Sequence, residues 1–143
     1  MVDQEAVIVG HDIIEAQRRI VDEFEFVEGW IERYETLIDF GRRLAPMPQS
    51  LRIDRNRICT CQCDAWLAGI RRDGRLYLSA ASETRVRAGL LAIVVEVYSG
   101  RAAEDVLDHP LVVLETTGLS GRLSPHRLAP YSEILARLRE LAS

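Results

Sequence analysis

Asp73-Gly74 stands between two segments of nearly equal length, Ala65 to Arg72 and Arg75 to Ala81. The dipeptide accepts the positive φ angles that a two-residue hairpin turn demands. In the second segment Leu76, Leu78 and Ala80 alternate with Arg75, Tyr77 and Ser79, a period of two that buries one face of a strand. An antiparallel hairpin is therefore expected in the middle of the chain. Arg52 to Ile58 is the candidate for a third strand.

On both sides of the hairpin the apolar spacing is helical. Ile13, Ile14, Ile20, Val21 and Phe24 predict a helix over 12–26, behind a loose N-terminal extension of residues 1–11. Trp30, Ile31, Tyr34, Leu37, Ile38 and Gly41 share a second stripe, which ends before Pro46 and Pro48. After the hairpin, Ser82 is the candidate N-cap, with Glu83 in the first turn. Val86, Leu90, Ile93, Val94 and Val97 form the buried stripe of that helix, and Gly100 marks its stop. A short helix is expected from Ala103 to Leu107, closed by His109-Pro110. Ser124-Pro125 opens the last helix, Pro130 should interrupt or restart it, and Ile134, Leu135, Leu138 and Leu141 complete it. Helices flanking a small antiparallel sheet of about three strands define an α+β fold.

At 143 residues and 48% hydrophobic composition, the chain suits a single domain spanning 1–143. A net charge of -4 with no basic block argues against nucleic acid. The pairs Arg71-Arg72 and Arg85/Arg87 read as solvated faces. No apolar run approaches the ~20 residues of a membrane-spanning helix; the longest, Gly89 to Val95, reads as a buried helical segment. The acidic N-terminus lacks the pattern of a secretion signal.

All three cysteines, Cys59, Cys61 and Cys63, fall in the stretch RICTCQCDAW. Three thiols in five residues are not a secreted disulfide framework, and the expected location is the reducing cytosol. Three chemistries compete. A structural zinc site needs four ligands, and no histidine lies within forty residues of the cluster, so a distant ligand such as His126 or Asp64 would be required. A disulfide from Cys61 to either neighbour closes a very small, strained and easily reduced ring. Inert buried cysteines are the bland alternative. Their place on an expected connection between strand and hairpin favours reactive thiols, because loops on a rigid scaffold carry chemistry. Spacing alone leaves these open. His11, His109 and His126 read as surface or capping residues.

From Ile20 to Leu141 the chain resembles the SufE family, the cysteine desulfuration proteins. WIERYETLIDFGRRLAPMP resembles the family's opening Trp-containing helix and its "LGR-LP-LP" exit. Asn56-Arg57-Ile58 followed by TCQCDAW resembles its lead-in to "GCQSQVW". SETRVRAGLLAIV resembles the "SDA-IV-GLLA" helix start, and GLSGRLSPHR resembles the "LGL-HLSPSR" segment. Four weak likenesses in the same order make a strong one.

The resemblance implies a SufE/IscU-like fold and singles out Cys61 as a sulfur-accepting cysteine, with Cys59 and Cys63 as accessory thiols. It implies a persulfide taken from a PLP-dependent cysteine desulfurase of SufS type, stimulation of that enzyme, and delivery to an iron-sulfur scaffold of SufBCD type. The chain would be the partner and activator of an enzyme, as a monomer or homodimer, and would need no cofactor of its own. Glu83 and Arg127 match charged family positions, and Trp66 is a candidate for partner docking or loop support, though core packing explains it as well. Thr60 replaces the family's Gly, Cys63 its Ser, Arg122 its His and Ala129-Pro130 its "NG", while Cys59 is an added thiol. The competing expectation is a metal-binding or redox-sensing module using all three cysteines, and a purely structural interaction domain comes third.

Overall fold

The hairpin forms around the expected turn. In the computed structural model, which describes residues 2–58 and 64–143 and all their side chains except those of 2–11, 126 and 127, β1 (Ala65–Arg72) pairs antiparallel with β2 (Arg75–Ser82). The register runs from Ala65↔Ser82 to Arg72↔Arg75. Asp73 (φ 54°) and Gly74 (φ 78°) both have positive φ, the geometry whose twist matches that of the strands.

The third strand is not Arg52 to Ile58. That segment carries Asp54, Arg55 and Asn56 in a row and coils into a 3-10 turn at Asp54–Asn56, shortly after another at Gln49–Leu51. Its end meets the sheet through an isolated bridge of Arg57 to Trp66 and the Ile58 N–H bond to the Ala65 carbonyl. Instead β3 (Arg101–Ala102) pairs with β2, giving the order β1-β2-β3. Gly100, at φ 84°, makes the turn that brings β3 there, and its N–H donates to the Leu76 carbonyl at 2.7 Å.

Helices cover the sheet. Before it come α1 (Val2–Glu25) and α2 (Trp30–Gly41), and after it α3 (Arg85–Tyr98). The stretch expected to be a loose extension is drawn as the first turns of α1, where Gln4, Glu5 and Ala6 are good helix formers. Leu90, Leu91, Ile93, Val94 and Val97 of α3 are all buried, because α2, β2, α1 and α7 pack around it. Gly89 sets the closest approach, since a Cβ there would collide with the Leu37 carbonyl oxygen of α2. Phe24 of α1 stacks on Phe40 of α2, with centroids 5.4 Å apart. Ile31, expected on the buried stripe, is 74% exposed.

The chain then makes α4 (Ala103–Asp108), α5 (Val113–Thr117), α6 (Leu119–Arg122) and α7 (Pro125–Ala142). Pro130 does not interrupt α7. The hydrogen bond lost at an internal proline is offset by burial of Pro130 itself and of Tyr131, Ile134 and Leu138 along the same helix. Among the described residues no helix is long and apolar enough to cross a membrane.

Candidate functional site

Cys59, Cys61 and Cys63 lie outside the described residues, but both ends of the segment that carries them are well defined. Ile58 precedes it and Asp64 follows it. The Ile58 N–H donates to the Ala65 carbonyl at 2.8 Å, and Arg57 bridges Trp66. The residues that flank the segment are therefore held side by side, at one neck.

Side chains tighten that neck. Arg57 Nη1 donates to Asp64 Oδ1 at 2.7 Å, an ion pair joining one end of the segment to the other. The Arg57 carbonyl accepts from Arg137 Nη2 of α7, and the Arg55 carbonyl from Arg137 Nη1, both at 3.1 Å. Asn56 Nδ2 donates to the Leu51 carbonyl at 2.9 Å, holding the approach to the neck in its turn. Ile58 is buried, and beside it a cavity of about 210 Å³ is lined by Glu133, Ala136, Arg137 and Glu140.

On the other side the neck is tied to the start of α3. The Asp64 carbonyl accepts from the Ser82 hydroxyl at 3.2 Å and from the Glu83 N–H at 3.1 Å. This corrects the expected cap. The N-cap is Thr84 and makes no side-chain cap hydrogen bond. Ser82 instead accepts from the Thr84 N–H while donating to Asp64. Glu83 precedes the helix and is exposed, and with Ser82, Arg85 and Arg42 it lines a second cavity of about 300 Å³.

Trp66 is buried at 6% exposure. It packs with Met47 and Ala68 on the side of β1 opposite the main core, with Leu51 against them. This second layer explains why Ala65, Trp66, Leu67 and Ala68 are buried without alternation. The guanidinium groups of Arg52 and Arg57 lie 5.6 and 5.4 Å from the Trp66 ring centroid, so the ring stands against the neck. No surface for docking is offered by an indole so enclosed.

The Arg127 side chain and those of His11 and His126 lie outside the described residues. His109 Nδ1 is 2.9 Å from the Asp105 carbonyl one turn back in α4, a capping contact. Among the described residues no group of three His, Cys, Asp or Glu is placed to hold a metal.

Arg57, Asp64 and Arg137 are the neck residues that the sequence pattern did not reveal. Asp64 immediately after the cysteines was the available signal, but its partner is seven residues back, on the far side of the segment. Arg137 sits among the polar positions of an amphipathic helix, where nothing local marks it.

A family model described as SufE, Fe-S metabolism associated domain, matches residues 18–142. An uncharacterized SufE-like protein of Rhizobium meliloti is 29% identical over 129 residues, covering 87% of this chain and 92% of that one. The sulfur acceptor protein CsdE of Escherichia coli is 31% identical over 100 residues, 68% of each chain. The solution structure of a hypothetical protein from Thermus thermophilus superposes with a TM-score of 0.72 at 19% identity, covering 89% of this chain and 93% of that one, a likeness of fold.

Proposed function

Since this chain belongs to the SufE family, we propose that it is a sulfur acceptor whose Cys61 thiolate takes sulfane sulfur from a cysteine desulfurase. The donor is a persulfide, R–S–SH, on the desulfurase. Cys61–S⁻ attacks its outer sulfur, a new S–S bond forms on Cys61, the donor S–S bond breaks, and R–S⁻ leaves with the electron pair. One sulfur changes hands with no net oxidation. The pyridoxal phosphate that frees sulfur from L-cysteine belongs to the partner, an enzyme of SufS type. Cys61–S–SH then delivers sulfur to an iron-sulfur scaffold of SufBCD type in the cytosol, and removal of the product raises desulfurase turnover.

The observation that carries this reading is the family match, whose span, residues 18–142, includes the cysteine segment. The neck adds physical support. It fixes both ends of a five-residue span to a rigid sheet and two helices, and a nucleophile handed between proteins works best on a short connector with anchored ends. Cys59 and Cys63 flank the acceptor. A thiolate of either attacking the inner sulfur of Cys61–S–SH releases HS⁻ and leaves a disulfide, which makes them discharge routes.

Incubation with a SufS-type desulfurase and L-cysteine, followed by intact-mass analysis, tests the reading. One added sulfur mapped to Cys61 is expected. No added mass, with stoichiometric metal in the native protein, overturns it in favour of a metal-binding module.

A further inference from the structure

The two most exposed large hydrophobic side chains among the described residues are Phe26, at 88%, and Ile31, at 74%. They lie five residues apart, where α1 turns into α2. Neither is on a loose end. The Phe26 N–H donates to the Asp22 carbonyl at 2.9 Å, prolonging α1, and Ile31 is the second residue of α2.

Single exposed apolar side chains are ordinary, but Ile31 is continuous with a groove. About 290 Å³ in volume, it runs between α2 and α6, walled by Trp30, Ile31, Tyr34, Leu119 and Leu123. Its shape is set in advance. Arg33 donates to the Val27 carbonyl at 3.3 Å and to the Thr117 carbonyl at 3.0 Å, tying the start of α2 to the end of α5. A Cβ on Gly118, between α5 and α6, would lie 3.2 Å from the Trp30 ring.

Charge limits what can cover this surface. Asp22, Glu23, Glu25, Glu28, Glu32 and Glu35 stand against one cation, Arg33, so residues 22–35 carry a net charge of -5. The whole chain carries -4, which leaves the remainder at +1. All six acidic residues are exposed. Among the described residues only Glu23 has an ion-pair partner, Arg43, and Arg33 is turned inward onto carbonyls. Arg122, at the groove, stands over the Trp30 ring 4.5 Å from its centroid and leaves the excess negative. Such a surface repels anionic lipid and nucleic acid. A second copy brings the same acidic turn, and no three basic residues are consecutive anywhere in the chain.

We propose that the α1–α2 turn and the α2–α6 groove form a docking surface for a basic, amphipathic segment of a partner protein. Apolar residues of that segment cover Phe26 and Ile31 and enter the groove, while its Lys or Arg side chains meet Glu25, Glu28 and Glu35. The surface is separate from the neck. The other end of α2, at Gly41 and Arg42, shares a cavity with Ser82 and Glu83, which bond Asp64, and the 12 residues of α2 span about 18 Å. The proposal therefore does not rest on Cys61.

The test titrates the full chain into a fluorescein-labelled peptide of Lys and Leu with one apolar helical face, read by anisotropy. The expected binding is about tenfold tighter than that of a scrambled peptide of the same composition. Phe26→Ser combined with Ile31→Ser weakens it about tenfold, as does Glu25→Gln with Glu28→Gln and Glu35→Gln. Removing the same charge elsewhere, by Glu104→Gln, Asp108→Asn and Glu115→Gln, leaves it within about twofold. All these side chains are exposed, so the variants retain the fold. Equal binding of the two peptides, or equal losses from the two charge variants, reduces the effect to bulk charge and overturns the proposal, as does unchanged binding to the Phe26→Ser, Ile31→Ser protein. Dimerisation of the parent in sedimentation equilibrium, abolished by Phe26→Ser with Ile31→Ser, assigns the surface to a second copy instead. Co-sedimentation with phosphatidylserine-containing vesicles, lost in the same variant, assigns it to a membrane. The assay contains no desulfurase, so its outcome is independent of whether Cys61 gains sulfur.

Discussion

The guanidinium of Arg57 reaches over the ends of the cysteine segment to the carboxylate of Asp64, at 2.7 Å. Their side chains are 35% and 38% exposed, so water and salt reach the pair. An ion pair of this kind contributes up to about 1 kcal/mol. Asp64→Asn is expected to lower urea stability by about 0.5–1 kcal/mol at low salt. The deficit should shrink at ~1 M NaCl, where the Debye length falls to about 3 Å. An equal deficit at both salt concentrations would mean that the carboxylate acts through packing.

The three thiols are expected to be unequal. Cys61→Ser should abolish sulfur loading by the desulfurase, because the serine hydroxyl is not a nucleophile at neutral pH in the way a thiolate is. Cys59→Ser and Cys63→Ser should retain much of the loading and lengthen the life of the persulfide, since each removes a route by which it is discharged to sulfide. Loading is read by intact mass and released sulfide by a colorimetric assay. Comparable losses from all three substitutions would point to a shared coordination site.

Gly89 is expected to resist the smallest enlargement. Alanine favours an isolated helix by about 1 kcal/mol over glycine, yet here its Cβ meets the Leu37 carbonyl oxygen, an atom of backbone that cannot swing aside. Gly89→Ala should therefore destabilise by about 1–3 kcal/mol net, the cost of overpacking a close helix contact. Thermal melting checks it, with Gly121→Ala as the control, since nothing lies within 4 Å of a Cβ at that position. A neutral or stabilising result at Gly89 would show that α2 and α3 can separate freely.

Alkali should unfold the protein earlier than its surface would suggest. Burial pushes the Tyr98 phenol well above its usual value, and Tyr131 follows through burial and the negative charge of Glu115. The unfolded chain releases both protons near pH 10 while the folded chain keeps them. The folded state then binds more protons, and stability falls as pH rises past about 10. Tyr98→Phe loses the hydrogen bond to the His109 carbonyl, about 1 kcal/mol at pH 7, but its stability should decline less steeply between pH 9.5 and 11.5. Urea titrations at a series of pH values measure both slopes.

Local features of the fold were legible because each is written in two or three adjacent residues. Asp73-Gly74 specified the hairpin and its register, Gly100 the end of α3, and the apolar stripes the long helices. β3 was not legible, since two residues carry no periodicity and Arg101–Ala102 becomes a strand only where Leu76 offers its backbone. Ser82 looks like a helix cap in sequence and is drawn away by Asp64, eighteen residues earlier. Pro130 looks like a break and is absorbed because the helix around it is buried. The cysteines announced themselves by clustering. The contacts that tie the neck did not, because Arg137 meets Arg57 across eighty residues.

The two bonds from Arg137 to the Arg55 and Arg57 carbonyls carry a consequence for biosynthesis. A ribosome releases the cysteines long before it reaches the helix that holds the Arg55 and Arg57 carbonyls, so the segment is made early and its neck is finished last. A nascent chain stalled before Arg137 would carry all three cysteines while the bonds that hold one end of their neck were still unmade.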